Sequence, residues 1–121
     1  MSVKHAGEVP AEVVKAGDMA SMQVLISAQV GPHFAMQRFV MKHGGGMPEH
    51  TDTMEQEQYV LRGHAKIGIG AEEFEVRAAD VVFIPEGVPH WYQNIGEDDF
   101  EFHCLIPNQP DEIKLIEKNA D

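Results

Sequence analysis

Side chains able to hold a metal ion crowd into two short stretches. The first, HTDTMEQEQYVLRG, runs His50–Gly63 and places His50, Asp52 and Gln56 ahead of the apolar run Tyr59–Leu61. Side chains of an extended chain alternate faces, so His50 and Asp52 point the same way and Gln56 shares their parity. The second stretch, PEGVPHWYQN, runs Pro85–Asn94 and delivers His90 after a Pro/Gly turn. Two imidazoles, a carboxylate and an amide oxygen suit one divalent transition metal. The oxygens favour Mn²⁺ or Fe²⁺, while the imidazoles also admit Ni²⁺, Co²⁺ and Zn²⁺. Four protein donors on an octahedral ion leave two places for water or a chelating substrate, which is a catalytic layout.

The two stretches resemble the paired motifs of the cupin superfamily. Gly44, His50, Asp52, Gln56 and Gly63 fall at the spacings of its first motif, G-x5-H-x-H-x3,4-E-x6-G, with Asp for the second His and Gln for the Glu. Pro85, Gly87, His90 and Asn94 meet the second motif, G-x5-P-x-G-x2-H-x3-N, with Ala79 where the first Gly stands. The resemblance covers about Phe34 to Pro107 and is that of a small, single-domain cupin. It implies an all-β, jelly-roll barrel of two antiparallel sheets around a metal site. Some cupins similar to this chain carry a His or a Gln where Gln56 sits, and uronate-linearising cupins use that Gln as a ligand. The resemblance therefore implies His50, Asp52, Gln56 and His90 as the metal set.

Glu55 and Glu57 are the near alternatives for a donor, and both read as solvated charges. The order His50-x-Asp52…His90 also spells the two-His, one-carboxylate triad of non-haem Fe(II) oxygenases. Their oxoglutarate branch needs an Arg after the last His, and none follows His90. A dioxygenase without a cosubstrate stays open.

Around these donors, Tyr92 shares the face of His90 and Gln58 that of Gln56. Arg38 or Gln37 supplies a cation or an amide to the pocket; parity does not say which. In Phe100–Ile106 the even positions share a face, which turns Phe102 and Cys104 inward and His103 outward. Cys104 reads as a small buried hydrophobe. His5, His33, His43 and His64 sit at turns or strand ends and read as exposed. Met19, Met22, Met36, Met41, Met47 and Met54 read as adaptable fillers of core or pocket.

The elements that must position these groups are strands. Met22–Ala28, Phe34–Lys42, Tyr59–Leu61, His64–Ile69, Glu73–Arg77, Asp80–Ile84 and Phe100–Ile106 are apolar or β-branched runs between turn residues, at the spacing of a sandwich or barrel. Gly44-Gly45-Gly46 reads as a turn that brings His50 to the interior. Asp111–Lys118 (DEIKLIEK) reads as a short C-terminal helix with Ile113 and Ile116 on one face. The expected division is an arm or edge strand over 1–20, the barrel over 21–110 and a helical tail over 111–121.

A chain of 121 residues with 43% hydrophobic residues and no long apolar run fits one soluble domain. A formal charge of −11 argues against nucleic acid and anionic membranes as partners. One cysteine and a first segment without the apolar core of a signal peptide suit a reducing cytoplasm. The arm Val3–Val14 and the apolar run after it would expose a sheet edge, which predicts a homodimer. The expected function is a metal-dependent enzyme on a small oxygen-rich, chelating substrate, by isomerisation, ring opening or dioxygenation. The competing reading is a non-catalytic barrel that binds a small metabolite or sugar, with or without metal.

Overall fold

Alternating burial organises the chain into strands wrapped about one core. The computed structural model describes residues 2–108 and 113–116. After a short 3-10 turn at Ala6–Glu8 come β1 (Glu12–Val13), β2 (Asp18–Ile26), β3 (Phe34–Thr51), β4 (Gln56–Arg62) and β5 (His64–Ile69). Then follow β6 (Glu72–Arg77), β7 (Val81–Ile84), β8 (His90–Asn94), β9 (Phe100–Pro107) and β10 (Lys114–Leu115). In β7, Val82 and Ile84 are buried while Val81 and Phe83 are exposed; in β4, Gln58 and Val60 face inward. Period-two burial of this kind turns one face of a strand to the core.

The strands order β6-β5-β8-β3-β9-β4-β7, with β2 and β10 also on β3, and β1 on β2; these pairings are antiparallel. The strand β3 joins the two expected sheets into one. Its first half pairs with β2 and β9, and its second half with β8 and β10. The sheet curls around that shared strand into the jelly-roll barrel that the sequence predicts.

Two local expectations change. The glycine triplet does not reverse the chain, because β3 runs straight through it to Thr51. Only Gly44 adopts positive φ, at 80°. Gly46 pairs with Asp18 on one side and with Gln93 on the other. A Cβ on Gly45 would lie 2.5 Å from the Asp18 carbonyl, and one on Gly46 would collide with the Tyr92 carbonyl. The glycines are there so that β2 and β8 can close on β3 from both sides.

The expected C-terminal helix is corrected where it is described. Lys114 and Leu115 are extended and pair with Thr51 and His50, and the Ile116 N–H donates to the Glu49 carbonyl at 3.0 Å. Residues 111, 112, 117 and 118 lie outside the described residues. So short a helix has little stability of its own. The edge of β3 offers the same residues backbone partners instead.

The arm folds back on its own chain. Glu12 and Val13 pair with Met22 and Ser21 of β2, and Gln23 Nε2 donates to the carbonyls of Ala6 and Val9 at 2.9 and 2.8 Å. Inside the barrel, Met41, Val60, Ile67, Ile84, Phe100 and Phe102 are fully buried. Burying each such side chain contributes roughly 1.5–3 kcal/mol. Phe102 stacks between Phe39 and Tyr92, with centroids 5.1 and 5.3 Å away.

Candidate metal centre

The site is assembled by β3 and β8, which place His50 directly opposite His90. Between Met47 and His50 the register slips, since Met47 faces Tyr92 while His50 faces His90. This β-bulge spends one extra residue of β3 and brings both imidazoles to the same inner face. Asp52 follows at the end of β3, and its backbone carbonyl accepts from the Gly87 N–H at 2.8 Å. That bond ties the second stretch to the first. Gly87 meets the turn with φ 73°, while Ala79, in the motif's other glycine place, takes φ 76° without being glycine.

Each imidazole is aimed by the backbone two residues before it. His50 Nδ1 lies 2.9 Å from the Pro48 carbonyl, and His90 Nδ1 lies 2.9 Å from the Val88 carbonyl. A carbonyl only accepts, so each Nδ1 carries a proton and each ring turns its Nε2 inward. The ring centroids are 4.1 Å apart. Asp52 Oδ2 lies 3.7 Å from His50 Nε2 and 3.4 Å from His90 Nε2. All three residues are buried, and their ligand atoms lie within 4.8 Å of one another. His90 Nε2 is wholly buried and has no hydrogen-bond partner. A buried Nε2 without a hydrogen-bond partner, beside a carboxylate and a second imidazole, is an arrangement that a divalent cation satisfies. The donor set therefore fits a divalent ion.

Gln56 stands beside this cluster, half-buried. Its amide nitrogen donates to Asp52 Oδ2, while its Oε1 accepts from Gln58 Nε2 at 2.9 Å and from the Cys104 thiol at 3.3 Å. Gln58 Nε2 also donates to the Tyr92 hydroxyl at 2.6 Å. Burial pushes the Tyr92 phenol well above its ordinary range, with Cys104 beside it adding to the rise. Burial likewise raises the Cys104 thiol to about 12, so both keep their protons at neutral pH.

The remaining sequence candidates fall on either side of the barrel wall. Phe102 and Tyr92 line the cavity above the donors, and Gln58 and Cys104 sit behind Gln56. Arg38 faces away from that cavity and pairs with Glu101, which also takes Arg62 Nη1 at 3.2 Å. Burial alone would raise Glu101, but the hydrogen bonds and charges of Arg38 and Arg62 outweigh it and lower its pKa. Gln37, next along β3, lines the cavity instead. Glu55 and Glu57 are exposed, as are His5, His33 and His43; His64 is half-buried and bonds Glu75 at 2.9 Å. The motif's Asn94 holds a turn, donating to the carbonyls of Met41 and Asp98 and accepting from the Gly96 N–H.

The cavity itself, about 180 Å³, has walls that sequence reasoning did not assemble: Val13, Val14, Met22, Phe39, Met41, Met47, Ile106 and Ile113. Val13 and Val14 come from the arm and Ile113 from the C-terminal segment. No local pattern signals that three distant segments meet over one site.

The profile of the cupin domain matches residues 37–106, more than half of the chain. The chain belongs to the cupin family. This cupin is 35% identical over 67 residues to an uncharacterised protein of Methanocaldococcus jannaschii, covering 54% of each. The chain thus spans about half the length of the curated relative it matches. It is similar in structure to the polyketide cyclase RemF of Streptomyces resistomycificus, with a TM-score of 0.88 and 25% identity, covering 100% of this chain and 89% of that one. A protein of Thermotoga maritima described as a predicted oxalate decarboxylase gives a TM-score of 0.80 at 22% identity, over 88% of this chain and 98% of that one. The second likeness speaks for the barrel alone.

Proposed function

We propose that this cupin is a divalent-metal-dependent enzyme acting on a small oxygen-bearing substrate that chelates the ion. His50, Asp52 and His90 would hold the metal, with Gln56 as fourth donor after a half-turn of its amide. One observation carries the reading: His90 Nε2 is buried without a partner, facing a carboxylate and a second imidazole. A bound divalent ion supplies Lewis acidity, polarising a carbonyl or enol oxygen. The chain's own groups do the rest. The carbonyls of Pro48 and Val88 hold both rings with Nε2 turned toward the site. The apolar walls lower the local dielectric, which strengthens charge interactions at the donors. Tyr92 and Gln58 keep Gln56 in place through neutral hydrogen bonds. Isomerisation or ring closure is the reaction class we favour over dioxygenation, and the likeness to a polyketide cyclase supports it.

A second reading, a non-catalytic binding barrel, draws on the scarcity of acid–base groups. Beyond the donor cluster, the cavity's polar lining is Gln37 and the protonated Tyr92. We also propose that the protein is a cytoplasmic homodimer. The reduced, buried Cys104 and the exposed Val81, Phe83 and Tyr59 along the β4–β7 edge support this. Among the described residues no helix is long and apolar enough to cross a membrane.

Elemental analysis of the purified protein tests the central claim. About one transition-metal ion per chain is expected, lost in both His50→Ala and His90→Ala. Full occupancy in either variant would place the metal elsewhere.

A further inference from the structure

Resting on the metal reading above, we infer that the substrate is a single-ring, largely apolar molecule carrying two adjacent oxygen donors. Size sets the first limit. The cavity measures about 180 Å³. An apolar cavity of about 150 Å³ accepts a benzene ring, so this one holds a single six-membered ring with small substituents.

The walls set the second limit. Phe39, Phe102 and Tyr92 form a row of nearly parallel rings, tilted 14° and 15° from one another. Met22, Met41 and Met47 also line the cavity, and thioethers pack well against aromatic edges. A polyol or sugar acid in this space would turn several hydroxyls to carbon and sulfur, leaving them without partners. A ring with its oxygens gathered on one edge leaves none, because that edge lies on the metal donors.

Charge sets the third limit. Among the described residues no Lys or Arg lines the cavity. Arg38, beside Gln37 on β3, is tied to Glu101 instead. A divalent ion with the Asp52 carboxylate leaves one positive charge in a buried place. A singly deprotonated chelate neutralises it, whereas a dicarboxylate overshoots into an uncompensated buried anion. Gln37, the polar side chain of the wall outside the floor cluster and Tyr92, is thereby a specificity determinant.

Calorimetric titration of the Zn²⁺-loaded and the metal-stripped protein, without oxygen, tests this with four probes: catechol, phenol, oxalate and galacturonate. Zinc does not oxidise catechol, so binding alone is read. On the loaded protein catechol should bind at least about tenfold more tightly than phenol, oxalate or galacturonate. Stripping the metal should bring catechol down to the level of phenol and leave phenol unchanged. In Gln37→Lys, oxalate should gain about tenfold on catechol. Tighter binding of oxalate or galacturonate than of catechol by the loaded wild type overturns the inference while the metal reading stands. Catechol binding that is strong and indifferent to Zn²⁺ overturns the chelate and the metal reading together, and leaves the ring-shaped cavity. No binding of either ring probe overturns the ring.

Discussion

Asp52→Asn should stabilise the metal-free protein and destabilise the loaded one. In the metal-free protein, Asp52 Oδ2 stands 3.4 Å from a His90 Nε2 that has no partner. An amide nitrogen there can donate to that acceptor, with the Gln56 amide turned to offer its oxygen in place of the nitrogen that now donates to Asp52 Oδ2. Supplying a donor to a buried orphaned acceptor recovers about 1 kcal/mol of the roughly 1–3 kcal/mol such an orphan costs. For 121 residues the unfolding entropy near the midpoint is about 0.25 kcal/mol per degree, so Tm should rise by about 4 °C in EDTA. The loaded state behaves oppositely. Zinc at 100 times its Kd stabilises the wild type by about 2.7 kcal/mol, or about 11 °C. Without its carboxylate donor the variant should keep only a few degrees of that rise. Scanning calorimetry at pH 8, in EDTA and in excess Zn²⁺, measures both signs on one preparation. A variant that loses 1 kcal/mol or more in EDTA would refute the reasoning, because the Gln56 hydrogen bond to the carboxylate would then outweigh the relief of the orphaned His90 Nε2.

Three other outcomes are expected. The double change Asp52→His with Gln56→Glu should tighten Ni²⁺ and Zn²⁺ more than Mn²⁺ in competitive titration, since it adds an imidazole at unchanged charge; an equal shift for all three would contradict the donor assignment. Glu101 has its pKa lowered below the ordinary 4.5 by Arg38 and Arg62, so its contribution to stability is present above that pH and is lost as pH falls through the lowered value. Glu101→Gln should therefore destabilise the protein at neutral pH and flatten the acid limb of its stability profile, measured by urea unfolding from pH 7 to 3. Ala79, at φ 76°, occupies a backbone region that favours glycine; Ala79→Gly should add about 0.5–1 kcal/mol in the same urea assay, and a loss would show that the strain is not there.

Much of the barrel is legible in the residues because strand signals are local. The hairpin of β5 and β6 appears almost residue for residue, since Gly70-Ala71 interrupts two runs of alternating side chains. Parity also turned Phe102 and Cys104 inward, and both are buried. What failed depends on neighbours distant in sequence. Three glycines read as a turn, yet two of them exist because Asp18 and Tyr92 press on β3 from either side. Ile113 and Ile116 fit one helical face, but the edge of β3 at Glu49–Thr51 draws Lys114 and Leu115 into a strand. At the site, spacing brought His50, Asp52 and His90 to one face. It did not show that Gln37, rather than Arg38, meets the cavity, because alternation says that the two face opposite ways but not which way is in; that follows from the pairing of Gln37 with the buried Cys104 and of Arg38 with His103. Nor did it show which end of the Gln56 amide meets Asp52, since that depends on Gln58 and Cys104 from two other points of the chain.

The bonds from Nδ1 of His50 and His90 to carbonyls two residues earlier have an evolutionary consequence. In many metalloproteins a separate acidic side chain orients each ligating imidazole, so changing the pocket risks misaiming the metal. Here the aim is written into the main chain, which no substitution of a neighbouring side chain erases. Pocket walls and donor geometry can then mutate independently. A lineage, or an engineer, can exchange Met22, Phe39, Gln37 or Ile106 to meet a new ligand while both imidazoles keep their direction. The barrel acts as a socket whose fitting can be changed without rewiring.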